Sequence, residues 1–278
     1  MNLRFLRGGF FALLFVAFVL CFGGFALAAE EDFTFTVVTD THLIREDDGS
    51  FRPYPSCERI AADIIAERPE FVIHCGDMIQ TSYSRENSDE SIENMWDLFE
   101  ESFYNPITRA GIDVFLAKGN HDVLRNAEPI FMEIWKGRKF GNGISGRDVC
   151  SYYSFVHKGC MFIFVDDSKL AVSGEQTEWL GKKIAEGAKC RAVFVVMHIG
   201  LKGSKKHPND RLQGRAADIL TGAPYRLTIL SGHHHKFDLS DFGSARNIVI
   251  GAAGKKKDAM RLDVTVKGRE VYLHSVHY

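Results

Sequence analysis

Phe33-Thr34-Phe35-Thr36-Val37-Val38-Thr39-Asp40-Thr41-His42 is a short β-forming run that ends in an acid and an imidazole two residues apart. Aromatic and β-branched residues make the strand, and the metal-binding residue types collect just beyond its carboxyl end. Four more apolar runs end the same way. Phe71 to Cys75 leads into Gly76-Asp77, Ile112 to Ala117 into Gly119-Asn120-His121-Asp122, Arg191 to Met197 into His198, and Arg226 to Leu230 into Gly232-His233-His234-His235. The carboxyl ends of strands line the ligand crevice of open α/β sheets, so these five termini are expected to meet in space.

Helical patterns separate the strands. Ser56 to Glu67 carries Ile60, Ile64 and Ile65 at helical spacing and is closed by Pro69; Asp89 to Phe103 carries Ile92, Trp96, Leu98 and Phe99 on one side; Ala127 to Trp135 is a short third helix. Tyr152 to Val156 and Met161 to Val165 flank His157-Lys158-Gly159-Cys160 as a hairpin. Ser173-Gly174-Glu175-Gln176 reads as a capping box opening a helix to about Ala188. Asn247 to Ile250, Met260 to Val266 and Val271 to Val276 complete a mostly β second half. The alternation predicts a layered α/β or α+β fold without internal repeats.

The chain has 278 residues, 45% hydrophobic and 25% charged, which fits one compact domain and excludes a disordered or polytopic membrane chain. With 34 basic and 36 acidic residues there is no broad positive field, and duplex nucleic acid is not an expected partner. Arg4 and Arg7, the apolar run Phe10 to Leu20 and the small-x-small site Ala26-Leu27-Ala28 predict a signal peptide over residues 1–28. That reading leaves a domain over 29–278, exported to the periplasm or medium, with no stable membrane association. Phe10 to Ala29 is also long enough for an uncleaved membrane anchor, which stays open. The cysteines lack Cys-x-x-Cys spacing, which argues against a thiolate zinc site; Cys150 and Cys160, flanking the hairpin, are either a pair or buried thiols.

In this order the motifs resemble those of the calcineurin-like metallophosphoesterases. The family pattern of D-x-H, G-D, G-N-H-[DE], a single H and G-H-x-H is met by Asp40-x-His42, Gly76-Asp77, Gly119-Asn120-His121-Asp122, His198 and Gly232-His233-x-His235. Gln176-x-x-Trp179-Leu180 also looks like that family. The resemblance implies a four-layer α/β/β/α sandwich of two mixed β-sheets flanked by helices. It implies two divalent metal ions (Mn, Fe or Zn), Asp40, His42 and His235 holding one, Asn120, His198 and His233 the other, and Asp77 bridging. His121 is then implied to act on the leaving oxygen or the phosphoryl group, Asp122 to orient its ring, and a hydroxide held between the ions to attack phosphorus directly.

Met78-Ile79-Gln80 lacks the tyrosine of purple acid phosphatases, and Thr39-Asp40-Thr41-His42-Leu43 looks more like the branch that includes the class III cyclic-nucleotide phosphodiesterases. The expected substrate is a small phosphate ester, a phosphodiester or nucleotide-like molecule. A broad-specificity phosphomonoesterase and a catalytically silent metal-binding scaffold remain as alternatives. His74 reads as a satisfied strand histidine, His234 as pointing away from the ligand set, and the lysines at 202, 205, 206 and 255–257 as solvated faces or phosphate contacts.

Overall fold

The computed structural model describes residues 31–83, 87–135, 152–205 and 207–278. The expected signal peptide, Cys150 and Lys206 lie outside the described residues. In chain order, β1 (Phe33–Val38) is followed by the small hairpin β2 (Ile44–Arg45) and β3 (Phe51–Arg52), α1 (Pro55–Glu67), β4 (Phe71–His74), α2 (Asp89–Phe99), α3 (Asn105–Arg109) and β5 (Asp113–Leu116). Then come α4 (Asn120–Val123), α5 (Ala127–Trp135), β6 (Tyr153–His157), β7 (Cys160–Phe164), α6 (Gly174–Gly187), β8 (Ala192–Val196), α7 (Arg215–Thr221) and β9 (Leu227–Ser231). β10 (Asp238–Phe242), β11 (Ala245–Val249), β12 (Met260–Lys267) and β13 (Glu270–His277) close the chain.

Two mixed sheets form the centre, as the family resemblance implied. One has the order β13-β12-β1-β4-β5, with β1, β4 and β5 parallel. The other has the order β10-β11-β9-β8-β7-β6, with β7, β8, β9 and β11 parallel and both edges antiparallel. Alternation along β7 shows how the layers are built. Phe162 and Phe164 join the core shared with the first sheet, whereas Met161 and Ile163 join a second core with Leu180 and Ile184 of α6 and Leu220 of α7. The inner layer is aromatic: the Phe35 ring lies 5.2 Å from both Phe162 and Phe194, and Phe115 stacks on Phe155 at 4.4 Å. Edge-to-face and stacked rings fill the gap between the sheets without polar groups.

Several local expectations change. The predicted helix from Asp89 stops at Phe99 and widens into a π-helical turn, Glu100–Tyr104, before α3. Pro106, which has no N–H to give, lies just beyond, and the backbone N–H of Asn105 reaches back five residues to the Glu100 carbonyl. At α6 only half of the predicted capping box forms. Ser173 accepts from Gln176 N at 3.2 Å, but the Gln176 side chain turns to both backbone groups of Asp166, at 2.7 and 3.1 Å. The glutamine thus pins the loop after β7 instead of the helix start. β10 and α7 were not foreseen, because Asp238-Leu239-Ser240-Asp241-Phe242 has no buried face and α7 follows a polar loop. No helix among the described residues is long and apolar enough to cross a membrane.

Phe162→Ala is expected to cost about 3–5 kcal/mol of unfolding free energy. Leu239→Ala on the exposed edge should stay within about 0.5 kcal/mol; denaturant titration of the two variants checks both.

Candidate metal centre

All seven expected metal donors and His121 lie beyond the carboxyl ends of β1, β4, β5, β8 and β9. The backbone there is unusual. Asp40, His42, Asp77, His233 and His235 have φ of 51°, 43°, 57°, 68° and 54°, so five of the seven donors sit in left-handed conformation. Such residues are costly unless their surroundings fix them, and they cluster where function requires them. Glycines let the turns nest: a Cβ on Gly119 would stand 2.2 Å from Asp77 N, and one on Gly232 would stand 1.9 Å from Thr39 Oγ1. These glycines make room for the neighbouring loops.

The donor atoms fall into two groups. Asp40, His42 and His235 form the first: His235 Nε2 is 3.1 Å from Asp40 Oδ1 and 3.1 Å from His42 Nε2. Asp77, His198 and His233 form the second: His198 Nε2 is 3.1 Å from Asp77 Oδ2, 3.2 Å from His233 Nδ1 and 3.1 Å from Asn120 Oδ1. The same Asp77 Oδ2 lies 3.7 Å from His42 Nε2, between the two groups. The structure thus brings together the residues that the family resemblance grouped.

The supporting residues differ from expectation. Asp122 does not orient His121. Its buried carboxylate accepts backbone N–H bonds from Asp77, Met78, Ile79 and Gly119 at 2.8–3.2 Å, which holds the turn that presents Asp77. The orienting group for His121 is Thr81: its carbonyl accepts from His121 Nδ1, and its hydroxyl donates to the His121 carbonyl. Asp167, not anticipated, does for His198 what Asp122 does for Asp77, accepting from the N–H groups of His198, Ile199 and Gly200 at 2.8–3.0 Å. Asp210 is a further addition, 2.8 Å from His233 Nε2, and so fixes the ring whose Nδ1 faces the second group. A carboxylate following a β-strand (Asp167) was a readable signal; Asp210 and Thr81, in irregular loops, gave none.

His74 is the satisfied strand histidine expected. Gly76 N donates to its Nδ1 at 3.1 Å and Thr41 Oγ1 lies 3.1 Å from its Nε2, while burial holds its pKa down to about 3. His234 turns its Nε2 to the Lys202 carbonyl at 2.7 Å. Lys202 is engaged by Asp238, and Lys255 donates to the His235 carbonyl, so neither is a free phosphate contact.

Charge in the centre favours cations. Burial would raise the pKa of Asp40, but the adjacent His235 ring and the His198 and His42 charges outweigh it and hold the carboxyl ionised. Asp77 is likewise lowered against burial, chiefly by His198. Burial pulls His42 down to about 4, whereas His198, although buried, is pushed up to about 10 by Asp77 and Asp40. Two buried carboxylates therefore demand positive charge at their side. Asp40 Oδ1 is buried and makes no hydrogen bond of proper geometry although His235 Nε2 is 3.1 Å away. A buried acceptor left without a hydrogen bond, with imidazole, carboxylate and amide groups around it, fits a divalent cation.

A two-sheet α/β sandwich with histidines, aspartates and an asparagine at the strand ends is the architecture of dinuclear phosphoesterases. The chain belongs to the calcineurin-like phosphoesterase family, whose family model matches residues 33–237, and it is a metal-dependent phosphoester hydrolase. No curated protein sequence matches it. Among solved structures it is similar to a dimetal phosphatase from Danio rerio, at TM-score 0.64 and 15% identity over 88% of this chain and 99% of that one. It is also similar to GAP50, the anchor in the inner membrane complex of Plasmodium, at TM-score 0.59 and 14% identity over 88% and 89%. A third likeness, at TM-score 0.50 and 15% identity, is to a protein assigned as a 5′-nucleotidase from Staphylococcus aureus, of which this chain covers 53%. At these identities the likeness is one of fold.

Asp122→Asn offers one amide oxygen where four N–H groups now find a carboxylate. It is expected to cost about 3 kcal/mol or more of unfolding free energy, since bonds to charged acceptors are worth roughly 1.5–3 kcal/mol each. Asp210→Asn should keep the fold and weaken metal retention by roughly 10–100-fold. Denaturant titration and metal competition assays check these.

Proposed function

We propose that the protein is an exported hydrolase of small phosphodiesters or nucleotide-like phosphate esters. One observation carries the diester reading: donors of the cluster line two cavities that share only His233 and Asp210, Asn120 in one and His235 in the other. One, about 490 Å³, is lined by residues including Tyr83, Asn120, Arg125 and Lys169. The other, about 730 Å³, is lined by residues including Lys205, His235, Lys236 and Phe237. An in-line displacement at phosphorus places the attacking and leaving oxygens on opposite sides, and a diester carries a second organic substituent that needs its own space. A monoester would use one cavity and leave the other to water. Tyr83 and Phe237, 69% and 40% exposed, offer aromatic surface in each cavity for a planar substituent. Export rests on the apolar leader read from the sequence.

Asp40, His42 and His235 are assigned to one cation, and Asn120, His198 and His233 to the other, with Asp77 between. Such a pair supplies Lewis-acid charge and an activated water. The chain's own contribution is positional. Asp122 and Asp167 fix the turns under Asp77 and His198 through backbone N–H groups, and Asp210 fixes the His233 ring. His121 donates its Nδ1–H as a hydrogen bond to the Thr81 carbonyl, so Nε2 is the ring atom that, when it too carries a proton, can pass that proton to a leaving oxygen. Its ring centroid is 5.0 Å from that of His42, and its backbone N–H donates to Asp77 Oδ1 at 2.8 Å, so the proton donor is tied to the bridging acid.

Asp77→Ala is expected to lose bound metal and turnover together, and parent-level activity in that variant would remove the site from consideration. His121→Ala should retain metal by elemental analysis while turnover falls roughly 10²- to 10⁴-fold. A chromogenic bis-ester of phosphate should be hydrolysed in preference to the matching mono-ester; the opposite preference identifies a phosphomonoesterase.

A further inference from the structure

At the opposite ends of the same strands lies a cavity of about 390 Å³ whose lining includes Arg191, Arg226, Arg246 and Arg269 and no acidic residue. The four come from separate places. Arg191 immediately precedes β8, Arg226 immediately precedes β9, Arg246 is on β11 opposite Thr228, and Arg269 lies in the turn between β12 and β13. β8 and β9 are the strands whose other ends carry His198 and His233. At about 3.3 Å per residue, the arginine end stands roughly 20 Å from the metal donors.

The site is built, not merely basic. Arg191 is buried and held by three carbonyls, those of Gly268 at 2.6 Å, Glu31 at 2.9 Å and Lys158 at 3.2 Å, which fixes one guanidinium between the two sheets. Asp241, outside the lining, receives both Arg226 at 2.7 Å and Arg246 at 3.1 Å, so one carboxylate aligns two guanidiniums and leaves positive charge in excess. Val193, Ile248, Val271 and Leu273 add an apolar wall. Scattered surface arginines are usually solvated; four converging on one concavity, with apolar surface beside them, match a ligand that has an anionic head and an apolar body. The planar fork of arginine suits phosphate oxygens in particular.

We propose that this cavity is a second binding site, separate from the metal centre, for a phosphate group carried on an apolar or aromatic body. Its source is either a soluble organic phosphate or a lipid headgroup, since Glu31, which meets Arg191, stands two residues beyond the end of the charge-free stretch Phe10 to Ala29. Calorimetric titration of the full chain with phenylphosphonate, which has no ester to hydrolyse, tests the proposal against the Arg226→Ala/Arg269→Ala variant. The parent should show two classes of site, and the variant should weaken one of them roughly tenfold or more while turnover of a chromogenic ester is unchanged. Identical isotherms for the two proteins, or a single class of site in the parent, overturn it. Both substituted residues are exposed, and thermal melting checks their folding; Arg269→Glu alone gives the same reading should the double variant melt early. Co-sedimentation with phosphatidylglycerol vesicles but not phosphatidylcholine, lost in the variant, assigns the phosphate to a lipid. Phenylphosphonate binding without such co-sedimentation assigns it to a soluble molecule.

Discussion

The centre depends on keeping the Asp77 carboxylate ionised, buried and aimed by a left-handed turn. Each such backbone conformation costs on the order of 1 kcal/mol or more, and five occur among the seven donors. Their sum is a sizeable part of the roughly 5–15 kcal/mol by which a domain is stable. Asp122 supplies the compensation under Asp77 and Asp167 under His198, each carboxylate taking three or four backbone N–H groups that the tight turns would leave without partners. Burial and the Asp77 charge push Asp122 up to about 7, so Asp77 and its support compete for negative charge. A cation beside Asp77 relieves that competition, and it offsets turn strain that exists only to present ligands.

The strand ends were legible in the sequence because each pairs two local signals, a β-branched or aromatic run and a metal-binding residue type just beyond it, with a glycine directly before that residue after β4, β5 and β9. Their convergence followed from the rule for carboxyl ends in parallel sheets, and the grouping of donors followed from the family resemblance. What the sequence hid was the work of carboxylates whose partners are backbone groups. Asp122 sits beside His121 in the chain, and adjacency suggested a side-chain pair. In space its oxygens face the turn after β4 instead, because the nested glycines bring the loops of β4 and β5 into contact. Gln176 was misread for a similar reason: it occupies a capping position, but the loop after β7 has unsatisfied backbone groups closer to hand. The edge strand β10 escaped notice because a strand without a buried face has no period-two signal to detect.

Phenylalanine connects sequence to site more widely. Phe35, Phe71, Phe115, Phe155, Phe162 and Phe194 form one continuous aromatic layer between the sheets, and that layer sets the spacing at which ligands from both sheets can meet. Asp40 and Asp77 arrive from one sheet, His198, His233 and His235 from the other. A dinuclear centre straddling the seam therefore needs a rigid and dry interlayer, and rings packed in T-shaped and stacked pairs provide it.

The same rods carry the arginine cavity at their amino ends. β8 and β9 are bonded to neighbours on both sides, so a ligand among the arginines meets strands that are already fixed in register. Coupling between distant sites requires an element with two discrete arrangements, and a ladder locked on both sides is a poor one. Occupancy of the arginine cavity thus bears on what the protein is attached to or holds, while the chemistry at the carboxyl ends proceeds at its own rate.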